Sequence, residues 1–185
     1  KEEIIPVEVK PGVFFENEEI PRETTLEKLL KLPPVFIKDG TVTAGNSCAL
    51  CDSASALIIT TEEKAKQLGL EPKAKIHSYS YIALEPKYMG LGPAIAIPKA
   101  LGKAGMILDD IDLIEINEAF AAQVIACDRE LKMDKEKINI NGGAIALGHP
   151  VGATGAKLLT SLLYALKAEN KNTGLVSLCI GGGQG

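Results

Sequence analysis

Three segments of this 185-residue chain gather residue types that can move protons and stabilise oxyanions. The first is Asn117-Glu118-Ala119-Phe120-Ala121, a carboxamide and a carboxylate directly after the apolar run Leu113 to Ile116. The second runs from Asn141 to Gly155 and sets His149 among small residues, which leave an imidazole without steric cover. The third, Ser177 to Gly183, ends an apolar run on the thiol of Cys179, followed by glycines whose N–H groups a ligand can approach closely. Each segment ends or follows an expected strand, where loops on an α/β sheet place ligands. Singly, each has a plainer reading. Asn117 could cap a helix starting at Glu118, His149 could be structural, and Cys179 could be an inert buried cysteine.

Other chemistries fit less well. The glycines from Gly148 to Gly155 match neither phosphate-loop spacing, so nucleotide phosphate is not the expected ligand. Cys48-Ala49-Leu50-Cys51 is a C-x-x-C, but no second Cys/His pair stands at finger spacing, so no metal site is expected and thiol–disulfide exchange ranks third among the readings. Net charge is −4 with basic residues dispersed among acids, which argues against nucleic acid or an anionic membrane surface as partner. No apolar run approaches the roughly 20 residues that span a bilayer. Lys1-Glu2-Glu3 does not open a secretory signal, and four cysteines without one are not a disulfide framework. A cytoplasmic setting is expected.

The elements that must position these residues alternate along the chain. Ile4 to Val9 reads as extended, Glu16 to Pro21 as an acidic loop, and Thr24 to Leu30 as a capped turn of helix ended by Pro33-Pro34. Residues 1–40 therefore form an arm, and 41–185 the domain proper. Within the domain, Ala54–Thr60, Ala74–Ile82, Leu113–Ile116, Ile138–Ile140 and Leu175–Ile180 read as strands. Helices are expected over Glu62–Leu68, Pro93–Lys103, with Pro98 kinking or dividing it, Glu118–Leu131 and Thr154–Lys167. The last is apolar almost all round, which predicts burial on more than one side, against this domain and a second one. The pattern is α/β: a mixed five-stranded sheet with helices on both faces. The missing Met and the closing run Ile180 to Gly185 suggest that both ends are cuts.

It is the order of the three segments that is specific. Asn-Glu-Ala-Phe-Ala, then Asn-Gly-Gly-Ala-Ile-Ala-Leu-Gly-His-Pro-Val-Gly-Ala-Thr-Gly, then Cys-Ile-Gly-Gly-Gly-Gln-Gly resembles the C-terminal half of thiolases of the acetyl-CoA acetyltransferase type. The resemblance runs from about Pro21 to Gly185 and includes Asp39 to Asn46, with Ala44, and Met89 to Pro93. It implies one half of a layered α-β-α-β-α architecture and a reversible Claisen condensation through an acyl-cysteine.

By this resemblance His149 activates the nucleophilic cysteine and, with a water held by Asn117, stabilises the enolate oxygen. Cys179 is the general base that removes the α-proton, and the amide of Gly181 shares a second oxyanion site. Met89 and Phe120 match positions lining the acyl and pantetheine pocket, and Cys48 stands where the family usually has a pantetheine-binding serine. A thiol is the weaker donor. No cofactor is implied, the coenzyme A thioester being substrate. The nucleophile falls in no segment of this chain, which implies an N-terminal thiolase half as partner, no complete turnover without it, and a homo-oligomer when complete. A non-catalytic thiolase-like protein that binds coenzyme A or lipid, or acts as a scaffold, is the alternative.

Overall fold

The computed structural model describes residues 2–17 and 23–185, so most of the expected acidic loop lies outside the described residues. β-Branched and aromatic residues flank a left-handed Gly12, and they pair as an antiparallel hairpin, β1 (Val7–Lys10) and β2 (Val13–Phe15). Every residue of the hairpin is exposed. Thr25 accepts a hydrogen bond from Lys28 N–H and starts the short helix α1 (Leu26–Leu29). Thr61 does the same for α2 (Glu62–Gln67), which Gly69 ends in the left-handed region.

The remaining helices are α3 (Gly92–Ala104), α4 (Ala121–Leu131), α5 (Ala144–Leu147) and α6 (Thr154–Ala168). Helix α3 runs through Pro98 and is not divided there. Pro98 lies on the exposed side of the helix, where water can meet the carbonyl that its missing N–H leaves unbonded.

The centre of the domain is a parallel pair, β3 (Leu113–Ile116) and β4 (Gly174–Ser177), in register from Leu113 opposite Gly174 to Ile116 opposite Ser177. Alternation sends Ile114, Ile116 and Leu175 to one face, where they pack with Ile97 and Leu101 of α3 and Cys127 of α4. Leu113 goes to the other face, onto Leu162 and Ala165 of α6. Helices on both faces of the sheet are thus present, and each large apolar side chain so buried contributes about 1.5–3 kcal/mol.

The five-stranded mixed sheet is not what forms. Among the described residues there are two separate two-stranded sheets, β1 with β2 and β3 with β4, and the 138–140 segment meets β3 only through an isolated bridge from Ile138 to Ile114. A strand needs a ladder partner as well as a pattern. Residues 78–81 keep the period-two alternation, but against a helix: Ser78 and Ser80 hydroxyls donate to Ala100 and Ala96 carbonyls of α3, while Tyr79 and Tyr81 face outward. Only from Ile82, bonded both ways to Gly185, does the segment find an antiparallel backbone partner. Lys103 and Lys99 then close on the Tyr79 and Tyr81 carbonyls. Residues 54–60 take no regular form, although the Ser55 and Thr160 hydroxyls share a hydrogen bond. At Ile138–Ile140 the backbone turns left-handed at Asn139 (φ 46°), which ends the strand after one residue.

Helix α6 is covered on one side within this chain. Thr154, Leu158, Leu162 and Ala165 form one buried stripe, and Leu159, Leu163 and Leu166 are only half-buried. Large apolar side chains elsewhere stand open, among them Leu50, Ile58 and Ile59. Such surface favours association in water. Sedimentation velocity of the isolated chain is expected to show concentration-dependent self-association, and a single monomeric species across the concentration range would contradict this.

Candidate active site

Strand β3 leaves the sheet at Asn117, whose N–H donates to the Ser177 carbonyl of β4 at 2.9 Å. The ladder therefore runs one step past Ile116 and carries Asn117 to the same carboxyl edge at which β4 leads to Cys179. Asn117 is 1 % exposed. Its Nδ2 lies 3.4 Å from Nε2 of His149, while its buried Oδ1 has no hydrogen-bond partner. A buried acceptor without a donor is costly, and such groups recur where a ligand or water is to be held. Helix capping does not explain Asn117: α4 begins only at Ala121, after Phe120, with no side-chain cap.

The imidazole is held from its other side. Nδ1 of His149 lies 2.7 Å from Thr154 Oγ1, and that hydroxyl donates to the Pro150 carbonyl at 2.9 Å. The hydroxyl has one proton, spent on Pro150, so it accepts from Nδ1–H. Nε2 is then the unprotonated nitrogen, accepting from Asn117. Burial, with Lys157 as the second cause, lowers the pKa of His149, which keeps the ring neutral and Nε2 able to take a proton.

Glu118 organises the chain leading to this histidine. One carboxylate oxygen accepts from Asn139 Nδ2 at 3.1 Å and the other from Ile145 N–H at 3.1 Å, with the carboxylate seated over Gly143, where a Cβ would collide with it. Asn139 in turn accepts from Ile116 N–H and donates to the Ile116 carbonyl, both at 2.9 Å, so its side chain extends the sheet that its backbone leaves. The loop of Ser47–Cys51 closes the other side. Cys48 N–H donates to the Ala119 carbonyl, His149 N–H donates to the Ala49 carbonyl, and Cys51 Sγ fills the space a Cβ on the left-handed Gly148 would need.

Cys48 is thus half-buried in a loop bonded to both the Asn117 and the His149 segments, beside Phe120, which meets Phe36 edge-on at 5.6 Å. Met89 lies in the 3-10 segment Pro86–Leu91, next to Gly90, which packs on Gln123 and whose carbonyl accepts from the Cys127 thiol. Ala44 is on an exposed 3-10 turn held by a Thr43/Asn46 capping box. Gly181 is exposed with open space around it, in the turn that returns Gln184 to Ile180.

Cys179 is buried, and burial pushes its thiol pKa up, with Cys127 and Cys48 adding to the rise. The depressed pKa that a base role asks of this thiol is not present in the resting chain. Residues that sequence reasoning passed over include Thr154, Lys157, Asn139 and Glu115. Only Glu115 left a signal, a lone acid inside Leu-Ile-Glu-Ile. It is 4 % exposed on the α6 face of β3, and burial, then the carboxylates of Glu3 and Glu118, push its pKa up to about 7 against the field of Lys157. Among the described residues no cluster of three or more His, Cys, Asp or Glu could hold a metal ion, and no helix is long and apolar enough to cross a membrane.

Residues 70–185 match the family model for the thiolase C-terminal domain, and residues 1–63 match that for the thiolase N-terminal domain. Among similar proteins, a probable acetyl-CoA acyltransferase of Staphylococcus epidermidis is 51% identical over 99% of this chain and 48% of its own length. The acetyl-CoA acetyltransferase of Escherichia coli is 52% identical over the same shares of both chains. The crystal structure of the Bacillus anthracis acetyl-CoA acetyltransferase superposes with a TM-score of 0.92 at 49% identity, over 98% of this chain and 46% of that one. That of human mitochondrial 3-ketoacyl-CoA thiolase in complex with CoA superposes at 0.88 and 44%, over 97% and 45%. The chain spans about half the length of the relatives it matches.

The buried acid gives a test of the local electrostatics. The folded-state pKa of Glu115, about 7, lies above its ordinary 4.5, so the folded chain holds this proton more tightly than the unfolded chain. The resulting stability is complete below pH 4.5 and is lost as pH rises through 7. On the order of 3 kcal/mol is at stake. Urea midpoints measured between pH 4.5 and 8 should fall with pH in the wild type and flatten in Glu115→Gln. Parallel profiles for the two proteins would contradict the assignment.

Proposed function

The chain belongs to the thiolase family, and from that premise we propose that it supplies the acid–base half of a thiolase active site, acting on a coenzyme A thioester with a nucleophilic cysteine from an N-terminal half. The observation that carries this is the relay from Asn117 through His149 and Thr154 to Pro150, set at the sheet edge where β4 leads to Cys179. It joins two segments remote in the chain, Asn117 and residues 149–154, and orients one imidazole with its Nε2 free to accept a proton.

The chemistry runs from that protonation state. Nε2 of His149 takes the proton of the nucleophilic thiol, whose sulfur attacks the ketone carbon of a 3-ketoacyl thioester. Once protonated, the same nitrogen is a donor, aimed with Asn117 at the enolate oxygen that forms when the C2–C3 bond breaks. The bonding electrons stay on C2, and Cys179, protonated at rest because it is buried, gives C2 its proton. Acetyl-CoA leaves. Free coenzyme A then returns a proton to the Cys179 thiolate as its sulfur takes the acyl group, and the released nucleophilic thiolate recovers its proton from Nε2 of His149, so all three side chains are restored. Condensation is the same sequence reversed, with Cys179 as base. Gly181 N–H serves the second oxyanion, and Met89, Phe120, Ala44 and Cys48 line the acyl and pantetheine path.

Acetoacetyl-CoA is the proposed substrate, with no further cofactor. Assembly as a homo-oligomer when complete and a cytoplasmic setting belong to the same proposal; Cys48, Cys127 and Cys179 standing as thiols suit a reducing compartment. Combined with a nucleophile-bearing thiolase N-terminal half, the chain should restore thiolysis of acetoacetyl-CoA. His149→Ala and Cys179→Ala should abolish turnover while thioester binding survives, and Asn117→Ala should lower the rate about 10²–10³-fold, as loss of one oxyanion donor does. Unchanged rates in all three variants, or no turnover with a folded partner half, would rule the proposal out in favour of a binding or scaffold role.

A further inference from the structure

The carbonyl of Gly148 and the N–H of His149 belong to one peptide plane, and both of its polar ends are held. The N–H donates to the Ala49 carbonyl at 2.9 Å, and the carbonyl accepts from the ammonium of Lys157 at 3.0 Å. Lys157 stands in the first turn of α6, its own N–H bonded to the Ala153 carbonyl, and its half-buried side chain reaches back over that turn. Gly148 is in the left-handed region at φ 87°, with Cys51 against it, so its peptide has no freedom to rotate without losing both bonds. The ammonium also acts on the buried carboxyl of Glu115 on the α6 face of β3, where it opposes the rise that burial gives that group's pKa.

We propose that Lys157 is a positioning residue for His149: it clamps the Gly148–His149 peptide plane and fixes one positive charge beside the imidazole. The clamp sets where the Cβ of His149 projects, and the Thr154 hydroxyl then sets the ring's rotation and tautomer. The charge acts on the ring in the sense that favours the neutral imidazole, second to burial among the causes. The other titratable groups on elements packed around this loop are Glu115 and Glu118 on β3 and its extension, Cys48 and Cys51 on the 47–51 loop, and Cys179 after β4. Of these, Glu118 is engaged by Asn139 and Ile145. Cys48 and Cys179 are held as neutral thiols by burial.

The inference rests on His149 acting as a base, but its first test does not need turnover. The imidazole of His149 is followed by NMR as pH is varied in the full chain, with His77 as internal reference, in wild type, Lys157→Arg, Lys157→Gln and Lys157→Met. Removing the charge should move the His149 midpoint upward in the Gln and Met variants, while Lys157→Arg, which keeps charge and donor, stays at the wild-type midpoint. A midpoint unchanged in the neutral variants, or moved as far by Arg as by Met, overturns the proposal. If Lys157→Met does not fold, Lys157→Gln, a neutral side chain with an amide donor, decides alone. In the complemented enzyme the acid limb of the kcat/KM profile should move upward with the imidazole, with KM little changed. A moving imidazole in a chain that no partner half makes active would leave this coupling standing and remove the catalytic reading instead.

Discussion

The parallel register of β3 on β4 is the constraint on which the rest depends. Because Ile116 lies opposite Ser177 and Asn117 N–H continues the ladder, the carboxamide and the route to Cys179 emerge side by side from one sheet edge. Shifting the pair by one residue would turn every side chain of β3 to the opposite face. It would send Glu115 into the apolar layer of Ile97 and Leu101 and expose Ile114 and Ile116 to the side where Lys157 waits. The two hydrophobic layers therefore protect the register, and the register sets the site.

Around that edge, side chains replace backbone where the backbone gives out. Asn139 turns left-handed and stops being a strand, yet its amide makes both bonds to Ile116 that a continuing strand would have made. Glu118 fixes the next turn by joining Asn139 to Ile145. Each such bond is worth about 1 kcal/mol net, but leaving any of these buried groups unpaired would cost more, so the network is held together chiefly by the penalty for breaking it. Two buried side-chain oxygens stand outside this matching, Gln123 Oε1 on α4 and Asn117 Oδ1, and the second lies beside the imidazole. That imbalance marks the place as one built for a further group.

The electrostatics are arranged so that the side chains that exchange protons rest neutral beside the Lys157 ammonium and the Glu118 carboxylate. Burial holds Cys179 as a thiol and Glu115 largely in reach of its neutral form, and burial with Lys157 favours the neutral imidazole. Neutral groups in a low-dielectric site cost little to keep there and gain strong mutual interaction once one proton moves. A thiol base with an already depressed pKa would have required a standing charge that this surrounding penalises.

What the sequence determined by itself is the family, the α/β class and the three chemical segments, because these are carried by residue identity and local order: Asn117 and Cys179 each end an apolar run, His149 stands among small residues, α1 and α2 follow their threonine caps, and the longer helices follow apolar periodicity. Tertiary structure decided the rest. Whether Ala54–Thr60, Ala74–Ile82 and Ile138–Ile140 become strands depends on a hydrogen-bonding neighbour, which no local pattern specifies; residues 78–81 lie against a helix, and only Ile82 pairs with another segment, at Gly185. The tautomer of His149, the clamp by Lys157 and the stitching by Asn139 join residues that are neighbours only after folding, and their energies come from burial that exists only in the packed chain. Residue types announce which protons can move, and the packed surroundings decide where those protons rest.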